Sequence, residues 1–312
     1  DWVAHSDTSD PFWARYQLGA ALDRVQVPVL LQSGWQDLFL RQSLAQYEHL
    51  RARGSEVALT VGPWTHVGVL MAGSRVLVPE SLQWLDQHLG RRGTTPRVSP
   101  VRVHVTGAGE WRDAPSWPPV GVDTSLYPHP GGGLTDRPAP TGASPARFTY
   151  DPADPTPTVG GRLLSSSLGG YKKDDALAER PDVLTFTGEA LAEPLEVQGT
   201  PVAEVAHSSD NPHVDLFVRI SEVDAKGRSR NISDGFVRLG PGDDGPLRIE
   251  MDPIAHRFSA GSRVRLLIAG GSFPRFDRNL GTGEDPATGT RTAVSHRSID
   301  LAGSRVVLPV VR

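Results

Sequence analysis

Two short apolar runs near the start of the chain set its organisation. Residues 27–31 and 57–61 are apolar on both faces, and each run is bounded by Gly or Pro. This pattern is typical of strands buried inside a parallel sheet. Between the runs, residues 38–53 carry five leucine or tyrosine positions at helical spacing, which predicts an amphipathic helix. The sequence therefore predicts a strand–helix–strand unit.

Two further helices are predicted in the same region. Asp10 followed by Pro11 is a helix-start signal, and aromatic residues follow it. A second helix is predicted over residues 79–90, where a proline precedes a periodic run of apolar residues and a glycine ends it. We expect this helix to pack on a face of the parallel sheet.

Each of the two predicted strands is followed by a residue suited to catalysis. Asp37 comes after the first run and His66 after the second. Ligands of open parallel sheets meet the carboxyl ends of the strands, which is where both residues fall. An acid followed by a histidine is also the order of the last two members of the Ser–acid–His triad in α/β-hydrolases. We therefore expect a carboxylate oxygen of Asp37 to lie about 2.6–3.2 Å from a ring nitrogen of His66.

From residue 97 onward the pattern changes to alternating runs rich in β-branched residues, with dense Pro and Gly. This change predicts a first domain at residues 1–96 and a second at 97–312. Many short strands separated by turn signals indicate a β-sandwich. The predicted strands are 101–106, 125–128, 147–150, 183–187, 195–206, 214–223, 235–239, 247–251, 263–269, 292–299 and 305–311, with loops at 131–145 and 151–162.

Five motifs in order along the chain carry a family resemblance. They are residues 1–13, 34–37 (Gly-Trp-Gln-Asp), 62–66 (Gly-Pro-Trp-Thr-His), 107–112 and 273–279. The chain resembles the C-terminal portion of hydrolases that include X-prolyl dipeptidyl-peptidases, cocaine-esterase-like acyl esterases and α-amino-acid ester hydrolases. The resemblance implies a triad acid at Asp37, a triad base at His66 and a jelly roll for the second domain. The expected fold class is thus the C-terminal part of an α/β-hydrolase sheet followed by a jelly-roll-like β-sandwich.

The serine nucleophile of that family has no counterpart in this sequence. Family members carry it on a Gly-x-Ser-x-x-Gly elbow, and the serine-rich stretch 163–170 lacks the glycine two positions before the serine. We therefore expect the chain to be a fragment whose partner is an upstream N-terminal half carrying the nucleophile. Alone, it should be inactive.

Four aromatic residues are candidates for substrate binding. Trp35, Phe39 and Trp64 flank the acid and the base, where they either wall an apolar pocket or pack in the core. Phe273, in the second predicted domain, is the fourth candidate, because its loop belongs to one of the five motifs.

Composition excludes several classes of protein. The net charge of −4 comes with interspersed signs and no basic stripe, so we expect no nucleic-acid partner. No apolar run reaches the roughly 20 residues that a bilayer requires, so we expect no membrane partner. The absence of cysteine excludes disulfides and thiolate metal sites. His213 and Asp215 indicate a turn entering a strand rather than a metal site, and we expect neither metal nor cofactor.

Three functions remain open. The favoured one is a serine hydrolase acting on a small acyl ester or a short X-Pro peptide by an acyl-enzyme mechanism. The second is a non-catalytic β-sandwich that binds a sugar or peptide, although Trp111 and Trp117 are the only tryptophans of the second predicted domain. The third is an assembly piece of a larger enzyme. The cellular compartment stays open, with the cytoplasm favoured, and a homodimer also stays open. The excess of arginine over lysine is typical of a bacterial genome rich in G and C.

Overall fold

The computed structural model describes residues 2–5, 9–17, 19–90, 95–243 and 245–311. The chain forms two compact units, of which the first comprises residues 1–104 and 111–117 and the second 105–110 and 118–312. The domain boundary predicted from sequence, near residue 96, lies a few residues before the end of the first unit at residue 104. Residues 91–94, just before that predicted boundary, lie outside the described residues. Residue 1, which opens the first family motif, also lies outside them.

The first unit is built on a small sheet with helices beside it. Its helices are two 3₁₀ helices (Trp2–His5 and Pro11–Tyr16), α1 (Gly19–Leu22), α2 (Leu40–Ala52), α3 (His66–Leu70) and α4 (Ser74–His88). Its strands are β1 (Val29–Gln36), β2 (Val57–Thr65), β3 (Val101–Val105) and β4 (Glu110–Ala114), hydrogen-bonded in that order. The β1–β2 and β2–β3 pairs are parallel, so the predicted strand–helix–strand unit is confirmed.

Burial explains why these segments take these forms. Helix α2 turns Leu40, Leu44, Tyr47 and Leu50 inward, as the helical spacing predicts. The first strand begins later than predicted, because Val27 is exposed and β1 starts only after Pro28, and it continues to Gln36.

Helix α4 starts earlier than predicted and buries a different face. It begins at Ser74, so that Pro79 lies inside the helix rather than at its start. Its buried residues are Leu77, Glu80 and Trp84, whereas Leu82 and Leu85 are exposed.

A buried carboxylate ties α4 to the sheet. Glu80 accepts hydrogen bonds from Thr60 on β2 (2.6 Å) and from Arg102 on β3 (2.7 Å). Arg97 donates to the same carboxylate at 3.1 Å and to the backbone oxygen of Leu59 at 3.1 Å. Because a buried charge is tolerated only when it is paired, this network fixes α4 against the two strands that it spans.

The second unit is almost entirely β. Its strands are β5 (Val122–Pro128), β6 (Gly133–Thr135), β7 (Ala146–Tyr150), β8 (Val183–Gly188), β9 (Leu195–Gly199), β10 (Val202–Ser209), β11 (Val214–Val223), β12 (Ser229–Leu239), β13 (Pro246–Glu250), β14 (Ile254–Phe258), β15 (Arg263–Ala269) and β16 (Ser295–Val311), with the short helix α5 (Asp175–Ala178). One path of hydrogen-bonded strands runs β12-β11-β15-β8-β6-β5-β16-β10-β13, while β7 and β9 pair with β16 and β14 pairs with β9. Most of these pairs are antiparallel, and Leu, Ile, Val and Phe side chains fill the core beneath them.

Two strand predictions fail for identifiable reasons. The predicted strand 195–206 divides into β9 and β10, because Gly199 adopts a φ of 136° and Pro201 has no N–H to donate. Conversely, the predicted strands 292–299 and 305–311 belong to a single 17-residue strand, β16. Ser304 bridges the join, since its hydroxyl donates to the Asp300 oxygen (2.6 Å) and accepts from the Ala206 N–H (3.0 Å).

A buried network of charges crosses the second unit. Arg219, which is fully buried, donates to Asp234 at 2.7 Å and 3.1 Å. Arg275 donates to Asp234 at 2.5 Å and to Asp252 at 3.1 Å. Burial alone would raise the pKa of Asp234, but the two guanidinium groups lower it below its ordinary value. The network therefore holds the loop that contains Arg275 against β11 and β12.

Candidate active site

Asp37 and His66 lie at the same edge of the parallel sheet. Asp37 directly follows β1, and His66 directly follows β2 as the first residue of α3. The parallel register pairs Gly34 with Gly62 and Gln36 with Thr65, so the two strands end side by side. Because both strands run in the same direction, the residues that follow them emerge together.

The two side chains are hydrogen-bonded, as the sequence predicts. His66 Nδ1 lies 3.1 Å from Asp37 Oδ1. The same carboxylate oxygen accepts the backbone N–H of Phe39 at 3.0 Å, which fixes the carboxylate from a second direction. The Asp37 side chain is 7% exposed, whereas that of His66 is 31% exposed. The pair thus has a buried acid and a histidine that is open to solvent.

The hydrogen bond sets which nitrogen of His66 can act as a base. A carboxylate accepts but does not donate, so Nδ1 is the ring nitrogen that carries the proton. In the neutral ring the other nitrogen, Nε2, then has a free lone pair. Within the described residues, Nε2 makes no hydrogen bond. The arrangement can therefore take a proton from a hydroxyl group that lies within hydrogen-bond distance of Nε2.

Close backbone packing brings the two strand ends together. A Cβ atom on Gly34 would lie 2.2 Å from the backbone oxygen of Trp64, and one on Gly62 would lie 2.2 Å from the Trp64 ring. Neither distance can be met by a real side chain, so both positions require glycine. Thr65 then caps α3, because its hydroxyl accepts the Gly68 N–H at 3.2 Å. The sequence analysis did not single out Thr65, although threonine before a short helix is a recognised N-cap signal.

The predicted aromatic residues have different environments. Phe39 is half exposed, and its ring meets the His66 ring edge to face at a centroid distance of 5.1 Å. Trp35 is buried, donates from Nε1 to the His104 oxygen at 2.7 Å and packs against Trp117. Phe39 is therefore the predicted aromatic that contacts the base, while a pocket role for Trp35 stays a prediction.

The other two aromatic candidates also stay predictions. Trp64 is buried and packs against Trp111 at a centroid distance of 5.7 Å. Phe273 belongs to the second unit, where its backbone N–H donates to Thr156 at 2.9 Å and its carbonyl accepts from Thr158 at 2.7 Å. Its side chain is partly exposed.

Another histidine–carboxylate pair lies in the second unit, and no sequence motif pointed to it. His256 Nε2 lies 3.3 Å from Glu222 Oε2, and His256 Nδ1 lies 2.9 Å from the Thr106 hydroxyl. His256 is completely buried. No spacing signal could have found this pair, because its members lie on separate strands, β11 and β14.

Metal-ligating clusters and membrane-spanning helices are both absent from the described residues. None of their His, Asp and Glu side chains form a group of three or more that could hold a metal ion. Among the helices that the structure describes, none combines the length and the apolar character needed to cross a membrane.

Two protein-family models and several known proteins match this chain. A protein-family model described as the X-Pro dipeptidyl-peptidase C-terminal non-catalytic domain matches residues 94–305, and the model of the X-Pro dipeptidyl-peptidase S15 family matches residues 1–68. The chain is 28% identical over 353 residues to the cocaine esterase of Rhodococcus sp. (strain MB1 Bresler), covering 100% of this chain and 61% of the esterase. A putative serine esterase of Mycobacterium bovis is 24% identical over 286 residues, with 78% of this chain and 45% of the esterase covered.

Two solved structures share the fold. An α-amino acid ester hydrolase superposes with a TM-score of 0.86 at 22% identity, covering 99% of this chain and 60% of the hydrolase. An aminopeptidase from a marine sediment archaeon of the Thaumarchaeota gives 0.85 at 22% identity, covering 100% of this chain and 59% of the aminopeptidase. The chain thus spans less than two thirds of the length of each of these relatives. Because the first family model covers more than half of the chain, the chain belongs to the X-Pro dipeptidyl-peptidase and cocaine-esterase-like family of hydrolases.

Proposed function

We propose that this chain supplies the acid and the base of a serine hydrolase, and that the nucleophilic serine comes from a polypeptide segment outside this sequence. One observation carries the proposal: His66 Nδ1 is bonded to the buried Asp37 carboxylate at 3.1 Å while the opposite nitrogen has no partner among the described residues. A ring oriented by an anion, with its second nitrogen free, is the arrangement that activates a hydroxyl nucleophile.

The mechanism follows from these positions. The serine hydroxyl attacks the substrate carbonyl while Nε2 of His66 takes its proton. The Asp37 carboxylate stabilises the resulting imidazolium and keeps the ring in place. His66 then gives the proton to the leaving alkoxide or amine, and the cycle repeats with water to release the acid. The donors that stabilise the oxyanion accompany the serine outside this sequence.

The substrate we propose is a small acyl ester or a short peptide with proline in its second position. The support is the naming of the relatives, which include a cocaine esterase and an α-amino acid ester hydrolase, together with the match to the X-Pro dipeptidyl-peptidase family. Phe39 supports an apolar acyl or leaving group, because it offers a half-exposed ring beside His66.

For the second unit we propose a jelly roll without a catalytic role of its own. Its long antiparallel pairs, β10–β16 and β11–β12, support this topology. The family description that matches residues 94–305 contains the word non-catalytic, which favours a supporting or ligand-binding role for this unit.

Co-expression with the missing nucleophile tests the proposal. The chain alone should be nearly inert toward p-nitrophenyl butyrate and Gly-Pro anilides. When it is produced together with the segment encoded upstream of residue 1, hydrolysis should appear and should be lost in Asp37→Ala and His66→Ala. Robust hydrolysis by the chain alone would contradict the proposal, because the nucleophile would then lie within this sequence.

A control variant accompanies this experiment. His296→Ala removes a histidine from the second unit whose ring contacts the Thr149 hydroxyl, and it should leave activity unchanged. An upstream segment without a Gly-x-Ser-x-x-Gly elbow, or a folded complex that stays inactive, would overturn the hydrolase in favour of the binding module.

A further inference from the structure

A cavity in the second unit has the lining of a small-molecule site. It has a volume of about 620 Å³, within the range of roughly 300–1,000 Å³ typical of ligand pockets. Its apolar lining comes from Val159, Leu163, Leu164, Leu168 and Pro274. Its charged lining comes from Lys172, Lys173 and Arg275. The cavity is distinct in its residues from the Asp37–His66 site.

The leucines belong to a hydrogen-bonded loop, residues 161–170, which we call the leucine loop. Gly161 and Gly170 close it by two backbone hydrogen bonds of 2.8 Å each. Inside the loop, the Ser165 hydroxyl accepts the Leu168 N–H at 3.1 Å. Leu164 is 72% exposed and Leu168 is 68% exposed, although the loop that carries them is fixed. Large apolar side chains held rigidly at a surface cavity are typical of a binding site.

Two buried side chains anchor the base of the leucine loop. Asn231 donates to the Gly170 oxygen at 3.2 Å and accepts the Lys172 N–H at 2.6 Å. Arg162 is joined to Asp252, a member of the buried charge network. These contacts tie the ends of the leucine loop to β12 and to the buried charge network.

The charges of the cavity indicate what it binds. Arg275 is already occupied, because its guanidinium donates to Asp234 and Asp252. The ammonium groups of Lys172 and Lys173 form no ion pair within the part of the chain that the structure describes. They are two of only three lysines in the whole sequence. A pair of uncompensated ammonium groups beside an apolar lining complements a molecule with one anionic end and one apolar end.

We propose that this cavity binds an aliphatic monocarboxylate, with the carboxylate at Lys172 and Lys173 and the alkyl chain against the leucine loop. The proposal goes beyond the proposed catalytic function, since it involves no residue of the first unit. It also gives the serine-rich stretch of the leucine loop a role as scaffold for Leu163, Leu164 and Leu168.

Calorimetric titration of the chain with sodium octanoate tests the proposal. One octanoate should bind per chain. Octyl glucoside has an alkyl chain one carbon longer than that of octanoate but no charge, and it should bind more weakly. Butanoate, which is four methylene groups shorter, should bind at least about tenfold more weakly, because each buried methylene contributes to affinity.

Variants locate the site. The double variant Lys172→Gln/Lys173→Gln should weaken octanoate binding by about three- to tenfold, the range expected for losing two partly exposed charge contacts. Lys226→Gln removes the third lysine, which lies in the turn between β11 and β12, and should leave binding unchanged. Leu164→Asn should weaken octanoate and octyl glucoside alike.

Three results would overturn the proposal. Equal affinity for octyl glucoside and octanoate would exclude a role for charge. Unchanged octanoate affinity in the double lysine variant, with thermal unfolding that matches the parent chain, would place any site elsewhere. Binding of several octanoate molecules without saturation would indicate non-specific adsorption to apolar surface.

Discussion

Two of the histidine–carboxylate pairs in this molecule, His66–Asp37 and His256–Glu222, use the same chemical groups in different surroundings. In the first unit, Asp37 holds one nitrogen of His66 and leaves a third of the histidine side chain exposed. In the second unit, His256 is completely buried, and its two ring nitrogens face Glu222 and Thr106. A histidine beside a carboxylate is therefore not in itself a sign of catalysis.

Access and a free nitrogen separate the two pairs. A general base needs a lone pair that a substrate or nucleophile can reach, and His66 has one at Nε2. His256 is completely buried, and its Nε2 faces the Glu222 carboxylate at 3.3 Å, so its pairing joins β14 to β11 and stabilises the fold. The comparison predicts that substitutions at the first pair act on rate, and that substitutions at the second act on stability.

The largest expected effect is on the rate of the complete hydrolase. When the nucleophile-bearing segment is supplied, Asp37→Asn and His66→Ala should each lower kcat by about 10⁴-fold, because the triad acts as a unit. The unfolding free energy should change by less than about 1 kcal/mol, since His66 is partly exposed and asparagine keeps a hydrogen-bonding oxygen at the buried position 37. Steady-state kinetics and denaturant unfolding measure the two quantities. A tenfold loss or less would remove the pair from the catalytic machinery.

A large effect on stability is expected at the buried pair. His256→Ala should lower the unfolding free energy by about 2–4 kcal/mol, because it leaves a cavity and deprives the Glu222 carboxylate of its buried partner. We expect a smaller loss of unfolding free energy than the largest values known for breaking a buried pair, because Glu222 still accepts the Ser259 N–H at 3.0 Å. Urea unfolding of this variant beside His66→Ala provides the comparison. Equal stability of the two variants would contradict the distinction that we draw between them.

The positions of Asp37 and His66 are the features that the sequence predicted best. The two short apolar runs that precede Asp37 and His66 predict the two parallel strands. Because parallel strands run in the same direction, their carboxyl ends lie at the same edge of the sheet, and so do the residues that follow them. The hydrogen bond between the two side chains follows from that alignment and is confirmed. The roles of the aromatic residues could not be predicted in the same way, because solvent exposure decides whether a ring packs in the core or binds a ligand. Trp35 and Phe39 each lie two residues from Asp37 in the sequence, yet Trp35 is buried and Phe39 is exposed.

The β unit was harder to predict for physical reasons. Whether a predicted strand is split in two depends on backbone details such as the φ of Gly199. Whether two predicted strands form one depends on side chains such as Ser304, whose hydroxyl accepts the backbone N–H of Ala206 where a turn was expected. The His256–Glu222 pair and the Arg219–Asp234 pair form between separate strands or across a hairpin. Their partners are specified by sheet register, which the alternation of polar and apolar residues does not fix on its own.

A smaller effect, on pH dependence, is expected at a third histidine. Burial and, second to it, the positive charge of Arg297 lower the pKa of His207 from 6.5 to about 4. Between these two values the unfolded chain binds a proton that the folded chain does not bind. Stability should therefore decrease as the pH falls from about 6.5 to about 4.

Replacing this histidine checks the assignment. His207→Gln should show a flatter dependence of unfolding free energy on pH in that interval, measured by urea titration at half-unit steps. A variant with the same slope as the parent chain would show that other groups cause the acid sensitivity.

The smallest expected effect is at the aromatic contact to His66. Phe39→Ala should lower kcat/KM of the complete hydrolase by about three- to tenfold, because an edge-to-face aromatic contact contributes about 0.5–1.5 kcal/mol. Leu82→Ala is a matched control, since Leu82 is similarly exposed in the same unit without touching the pair. If the control lowers kcat/KM as much as Phe39→Ala, the ring has no specific role.

Labelling by a fluorophosphonate tests the central claim most directly. The reagent reacts with a serine only when a base activates its hydroxyl, so it reports the pairing of a serine with His66. We predict no labelling of this chain alone, and rapid labelling of the elbow serine when the upstream segment is supplied. The label should disappear with His66→Ala and persist with His256→Ala. Labelling of a serine within this chain, or labelling that survives His66→Ala, would contradict the account.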